Sequence, residues 1–241
     1  MNYANDMALR MTNDFIFHYV FGRPESVPVL LNLVNAVLVD AGSPPVVSLE
    51  LRNPVSPRDA RWAKETVLDV RAIDENRRQI DIEVQVVGNR YFVNRSLYYW
   101  ARLYSDQLEK GNQYHMIRPV VCINLLNFVL FPDTQEYHHH FIITDAKNPQ
   151  RQLTEDLQLH FVELEKRSEQ DVPLTWWAEL IENAGIEGVD MQVLLSKDIA
   201  LSKAYEDYER CTQNREMRDL ALARERYERD HRTDLAIALE E

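Results

Sequence analysis

Two stretches decide the fold: residues 66–73, TVLDVRAI, and residues 79–87, QIDIEVQVV, separated by the polar residues 74–78, DENRR. Both are rich in β-branched residues that alternate with polar ones, and the segment between them is long enough to reverse the chain, so the pair reads as a β-hairpin. Residues two apart in a strand share a face. Leu68, Val70 and Ala72 therefore point one way, while Val67, Asp69, Arg71 and Ile73 point the other. On the second strand Ile80, Ile82, Val84 and Val86 form an apolar row, with Asp81, Glu83 and Gln85 on the opposite face. A turn centred on Asn76 pairs residues whose numbers sum to 152, which sets Asp69 opposite Glu83 and Arg71 opposite Asp81.

Opposed side chains in a hairpin have Cβ atoms roughly 4.5–5.5 Å apart, and like charges there destabilise the pair. A cation removes that penalty. Carboxylate oxygens at such a separation suit Mg²⁺ or Mn²⁺, which accept one or two carboxylates and keep waters for a substrate phosphate. Asp69 and Glu83 are thus the candidate catalytic and metal-ligating acids. A structural reading stands beside this one, in which Arg71 neutralises both acids on a solvated face. Gln85 carries an amide one step further along the same face, able to orient a water or a phosphate oxygen. Lys64, just before the first strand, offers a cation for the negative charge that develops in phosphoryl transfer, or is simply an exposed lysine.

Outward from the hairpin, residues 91–109, YFVNRSLYYWARLYSDQLE, read as a helix. Arg95, Tyr99, Arg102 and Asp106 fall on one of its faces, giving two arginines and an aromatic suited to phosphate contact and base stacking. An i, i+4 pair between Arg102 and Asp106 accounts for part of that pattern structurally. His138, His139 and His140 suggest a metal, but in a strand the middle one faces away, leaving a thin ligand set. Asp14 opens a helix, where an acid is ordinarily a matter of capping and the helix dipole.

Residues 14–21 read as a first helix with Thr12 or Asn13 as cap, and PVLLNLVNAVLVDAG from Pro28 as an apolar second helix ending at Gly42. RPVVCINLLNFVLF, YHHHFIIT and LQLHFVEL add strands, so residues 1–168 form a single mixed α/β domain. Residues 169–241 are expected to be an acidic helical C-terminal extension, with one long solvated helix from about residue 197 and no part in the fold of the core.

The chain has 241 residues, 45% hydrophobic and 27% charged, with a formal net charge of −12. Residues 1–168 carry 18 Lys and Arg against 21 Asp and Glu, a net of −3, and residues 169–241 carry 9 against 18, a net of −9. The acidity sits in the tail, so charge leaves a nucleic-acid partner open. With no apolar run of about 18 residues and no secretory leader, a cytoplasmic location and no membrane are expected. Cys122 and Cys211 lack metal-type spacing and read as free thiols.

Taken in order, TNDFIFHYVFG, LDVRAIDENRRQIDIEVQ, RSLYYWARLYSDQLEKGNQY, INLLNFVLF and LTEDLQLHFVEL resemble the Rpn family of recombination-promoting nucleases, also described as transposases, of the PD-(D/E)XK superfamily. The resemblance covers about residues 12–167. It implies a restriction-endonuclease-like core, a mixed β-sheet flanked by helices, that cuts DNA with Mg²⁺ or Mn²⁺. The superfamily's acids map to Asp69 and Glu83, and the backbone carbonyl of Val84 is implied as a further metal contact. Gln85 stands where the superfamily has a lysine, for which Lys64 is one substitute, and Asp14 matches the acid that members recruit from the first helix. The expected function is metal-dependent DNA cleavage tied to recombination or mobile-element activity. The alternatives are a decayed nuclease fold that binds DNA or protein, and a nuclease acting on RNA. A homodimer is compatible with the sequence.

Overall fold

In the computed structural model, which describes residues 9–52, 70–86, 88, 91–109, 111, 113–166 and 168–240 and side chains as far as 227, the alternating stretches become strands of one six-stranded sheet. The strands are β1 (Leu49–Arg52), β2 (Val70–Asp74), β3 (Gln79–Gln85), β4 (Val120–Leu126), β5 (His138–Phe141), β6 (Thr144–Asp145), β7 (Asn148–Gln152) and β8 (Leu157–Glu163). The sheet order is β1-β2-β3-β4-β8-β5, and β6 with β7 makes a separate two-stranded ribbon. β1, β2 and β3 pair antiparallel, β3, β4 and β8 run parallel, and β5 closes the far edge antiparallel to β8.

The hairpin register matches the sequence expectation. Val70 pairs with Ile82, Arg71 with Asp81, Ala72 with Ile80 and Ile73 with Gln79, each pair summing to 152. Its turn is held by Asp74, whose carboxylate accepts from the N–H groups of Asn76 and Arg78 and from the Arg78 guanidinium.

The helices are α1 (Asp14–Phe21), α2 (Val27–Asp40), α3 (Phe92–Ser105), α4 (Pro173–Asn183), α5 (Gln192–Leu195), α6 (Ile199–Gln213) and α7 (Arg215–Glu240). Asn13 caps α1, its side chain accepting from the N–H groups of Phe15 and Ile16. Among the described residues no helix is long and apolar enough to cross a membrane. Neither cysteine forms a disulfide, as expected, and both are buried.

Each face of the sheet has its own core. Val70, Ala72, Ile80, Ile82, Val121 and Ile123 pack in one cluster with the apolar faces of α1 and α2. On the other face Cys122, Leu126, Leu159 and Phe161 pack with Phe92 of α3. Alternation along β3 and β4 thus sends the aliphatic row to the first face and the acids of β3 to the second.

The C-terminal helices belong to the first of these cores. Trp177, Leu180, Ile181, Leu201 and Ala204 are buried in the same cluster as α1 and α2. Polar contacts tie them down: Trp177 Nε1 donates to Asn32 Oδ1 at 2.8 Å, Arg23 pairs with the buried Asp207 at 3.0 Å, and the Tyr208 hydroxyl donates to the Leu9 carbonyl at 2.6 Å. Nor is there one long helix from residue 197, because Asn214 ends α6 and caps α7 by accepting from the Met217 N–H. The apolar stripe of this segment is sparse in sequence because its other positions are charged or polar, but its residues share one core cluster.

A fragment ending at residue 168 should therefore be recovered unfolded or insoluble, as judged by circular dichroism. A soluble 1–168 fragment with a cooperative melt would refute this packing. Gly185 gives a finer probe: at φ 92° a Cβ would lie 2.4 Å from Tyr208 Oη and 2.6 Å from the Leu9 carbonyl oxygen. Gly185→Ala should lower stability by more than about 1 kcal/mol in denaturant melts.

Candidate active site

β3 presents Asp81, Glu83 and Gln85 to the side of the sheet covered by α3, and the two acids are each only 6% exposed. Such burial removes the water that stabilises a carboxylate. Two arginines answer it. Arg71, across the hairpin on β2, lies 3.3 Å from Asp81, and Arg95 from α3 donates through Nη2 to Glu83 Oε1. The same Nη2 also donates to Gln85 Oε1. These contacts do not restore ordinary acidity. Burial pushes the Glu83 carboxyl up to about 7, against the opposing pull of Arg95 and with a further push from Asp81. Burial likewise raises Asp81, against the pull of Arg71. Hard, desolvated oxygen donors of this kind fit a divalent cation, which would replace the missing water.

The parallel register sets Glu83 beside Asn124 of β4. Asn124 is buried, its Nδ2 donating to the His160 carbonyl at 3.1 Å and its Oδ1 accepting from the Ser96 hydroxyl at 3.2 Å. This polar bridge between sheet and α3 continues the floor of the site, and Asn124 is a site residue that the periodicity of the sequence does not single out. A lone asparagine inside the apolar VVCINLL was its visible signal.

Glu83 and Gln85 lie together, joined by Arg95. Asp69 and Lys64 lie outside the described residues. Val84, half-buried, sits in the ladder opposite Leu125. Asp14 is engaged by Arg224 of α7, whose Nε lies 2.5 Å from its Oδ2. The arginine face of α3 is divided. Arg95 turns inward with its Cζ 6.0 Å from the Tyr99 ring, while Arg102 is exposed and 3.5 Å from Asp106. Among the described residues no group of three or more His, Cys, Asp or Glu is arranged to hold a metal ion.

The histidines alternate as a strand requires. His138 and His140 point to the side of α2, where the His138 ring bridges Asp40 at 2.6 Å and His160 at 3.0 Å, and Tyr137 donates to Asp40 at 2.7 Å. His140 stacks on His160 with centroids 4.1 Å apart and planes 8° from parallel. Parallel rings aim their nitrogens along parallel planes rather than at one ion. His139 points the other way, to Glu163 at 3.2 Å.

The sequence model of the PD-(D/E)XK nuclease family transposases matches residues 11–238. That span takes in α1, the hairpin, α3, the whole sheet and the C-terminal helices. No curated protein and no solved structure matches the chain.

The histidine arrangement sets a pH dependence. Burial holds His18, His140 and His160 below the usual 6.5, so each stays neutral in the fold and protonates more readily once unfolded. At these three positions the unfolded chain then binds more protons, so their contribution to stability falls as pH drops below 6.5, while the raised Glu83 works in the opposite direction below about 7. His160→Phe keeps a stacking ring and removes one titration. In denaturant melts between pH 7 and pH 5 it should flatten the slope by up to about 1.4 kcal/mol per pH unit. An unchanged slope would show that His160 is not part of it.

Proposed function

Because this chain belongs to the PD-(D/E)XK nuclease family transposases, we propose that it is a divalent-metal-dependent endonuclease that hydrolyses phosphodiester bonds of DNA, in the service of recombination or mobile-element movement. The observation that carries this reading is Glu83, a carboxylate buried on the α3 side of β3 and pushed up to about 7 despite its arginine partner. Asp69, Glu83 and the Val84 carbonyl would hold Mg²⁺ or Mn²⁺. The sum of 152, kept by four described pairs of the hairpin, is the sum that pairs Asp69 with Glu83 in the sequence.

When bound, such an ion acts as a Lewis acid on the phosphate and makes a water nucleophilic near neutral pH. The chain's own groups do the rest. Arg71 pairs with Asp81 and Arg95 with Glu83, so each buried acid has a cationic partner before an ion arrives. Gln85 orients the water or a phosphate oxygen through its amide, and Lys64 supplies a second positive charge. Asp14, held by Arg224 at the start of α1, is a reserve acid from the first helix. Arg95, Tyr99 and Arg102 contact the DNA backbone and bases from α3, which compensates locally for the net charge of −12.

The purified protein should cleave DNA with Mg²⁺ or Mn²⁺ and stop on chelation. Asp69→Ala and Glu83→Ala should each remove most cleavage, and the double substitution should add little, since ligands of one ion act as a unit. Gln85→Ala should be milder. DNA binding by the inactive variants should persist and weaken steeply with salt. Retained DNA binding with no cleavage under any metal would point instead to a decayed nuclease fold. Cleavage of RNA alone would change the substrate.

A further inference from the structure

Arg95 is an arginine with unused capacity. A guanidinium carries five N–H donors in a planar fork. Here one nitrogen, Nη2, serves both acceptors, Glu83 Oε1 and Gln85 Oε1, while Nε is buried without a hydrogen-bond partner. The group is 30% exposed and lies over the Phe92 ring, 5.2 Å from its centroid, at the edge of α3. It is therefore near enough to solvent to move and is not saturated where it rests. Its position is also the one a divalent cation at Glu83 would contest, because two cations beside one carboxylate repel each other.

We infer that Arg95 is the resident cation of the metal-free site: it holds Glu83 and Gln85 until a divalent ion displaces it, and the released guanidinium then takes a phosphate oxygen of the substrate. This rests on the nuclease reading of Glu83 given above. Displacement makes the two events reinforce each other. The ion frees the arginine for the phosphate, the phosphate keeps the arginine away from the acid, and by linkage the coupling is the same in both directions. A guanidinium suits the second role because its fork matches a phosphate with two parallel hydrogen bonds.

The test is Mn²⁺ binding to the intact protein, read from the electron paramagnetic resonance signal of the free ion. Arg95→Gln should bind Mn²⁺ about 10-fold tighter than wild type, and Glu83→Gln should lose the site. A short phosphorothioate DNA duplex should tighten Mn²⁺ binding about 5-fold more in wild type than in Arg95→Gln. In the unaltered protein, the Arg95 Nε–Hε nuclear magnetic resonance signal should shift on adding Mg²⁺ and again on adding the duplex, a readout that needs no variant to fold. Mn²⁺ binding that depends on Glu83 but is no tighter in Arg95→Gln, or an Arg95 signal that Mg²⁺ leaves unmoved, would overturn the displacement while the nuclease reading stands. An absence of Glu83-dependent Mn²⁺ binding in every variant would remove both.

Discussion

Asp81 and Glu83 stand two residues apart on the same face of β3, and both are nearly cut off from water. Taking a carboxylate out of water costs several kcal/mol unless charge and hydrogen bonds replace the lost hydration. The surroundings are organised around that cost. β3 lies between an antiparallel neighbour that contributes Arg71 and a parallel neighbour that contributes Asn124, and the helix joining β3 to β4 contributes Arg95 and Ser96. A parallel pair needs a crossover of a dozen or more residues. Here that crossover, α3, lies over the acid row itself, so the connection that makes the sheet parallel also roofs the site.

The parts of this arrangement legible in the sequence were those set by short-range periodicity. Alternation in QIDIEVQ, with a five-residue polar turn before it, was enough to set the register of β2 on β3 and hence the meeting of Arg71 with Asp81. The start of α1 followed from Asn13, one of the two caps the sequence offered. What escaped depended on orientation. Helical spacing puts Arg95, Tyr99 and Arg102 on one stripe but does not say which edge of the stripe meets the sheet. Phe92 and Ser96 take the buried positions, so Arg95 reaches the acids from the border while Arg102 remains in solvent. β1 and the β6–β7 ribbon escaped because LELR is short and NPQRQ is exposed throughout, leaving no apolar row to detect. Of the predicted pair of acids, Glu83 has its environment described, and Asp69 rests on the register argument.

Charge misled in an instructive way. A net of −9 over residues 169–241 suggested a solvated appendage, yet net charge counts the exposed positions of a helix as heavily as the buried ones. In α6 the residues that meet the core are Leu201, Ala204, Tyr208 and Cys211, spaced three or four apart, with glutamates between them. Small residues such as Ala204 let α6 approach α1 closely and add little to a hydrophobicity average. Asp207 is the exception that shows how tightly the helix is docked: it is buried, and Arg23, Lys203 and Arg210 all lie within ion-pair distance of it.

The two cores on either side of the sheet are not independent of the chemistry. Because the side-chain period of a strand is two, the row Ile80 and Ile82 and the row Asp81, Glu83 and Gln85 are fixed against each other. A slip of one residue in β3 would drive both acids into the aliphatic cluster under α1 and α2 and lift two isoleucines into the polar floor, away from Arg71 and Arg95. The apolar packing of the first face therefore does more than hold the sheet together. It is what keeps Glu83 aimed at Arg95 and beside Asn124, so the helices on the face opposite α3 hold the geometry of the acid row through the strand they pack against.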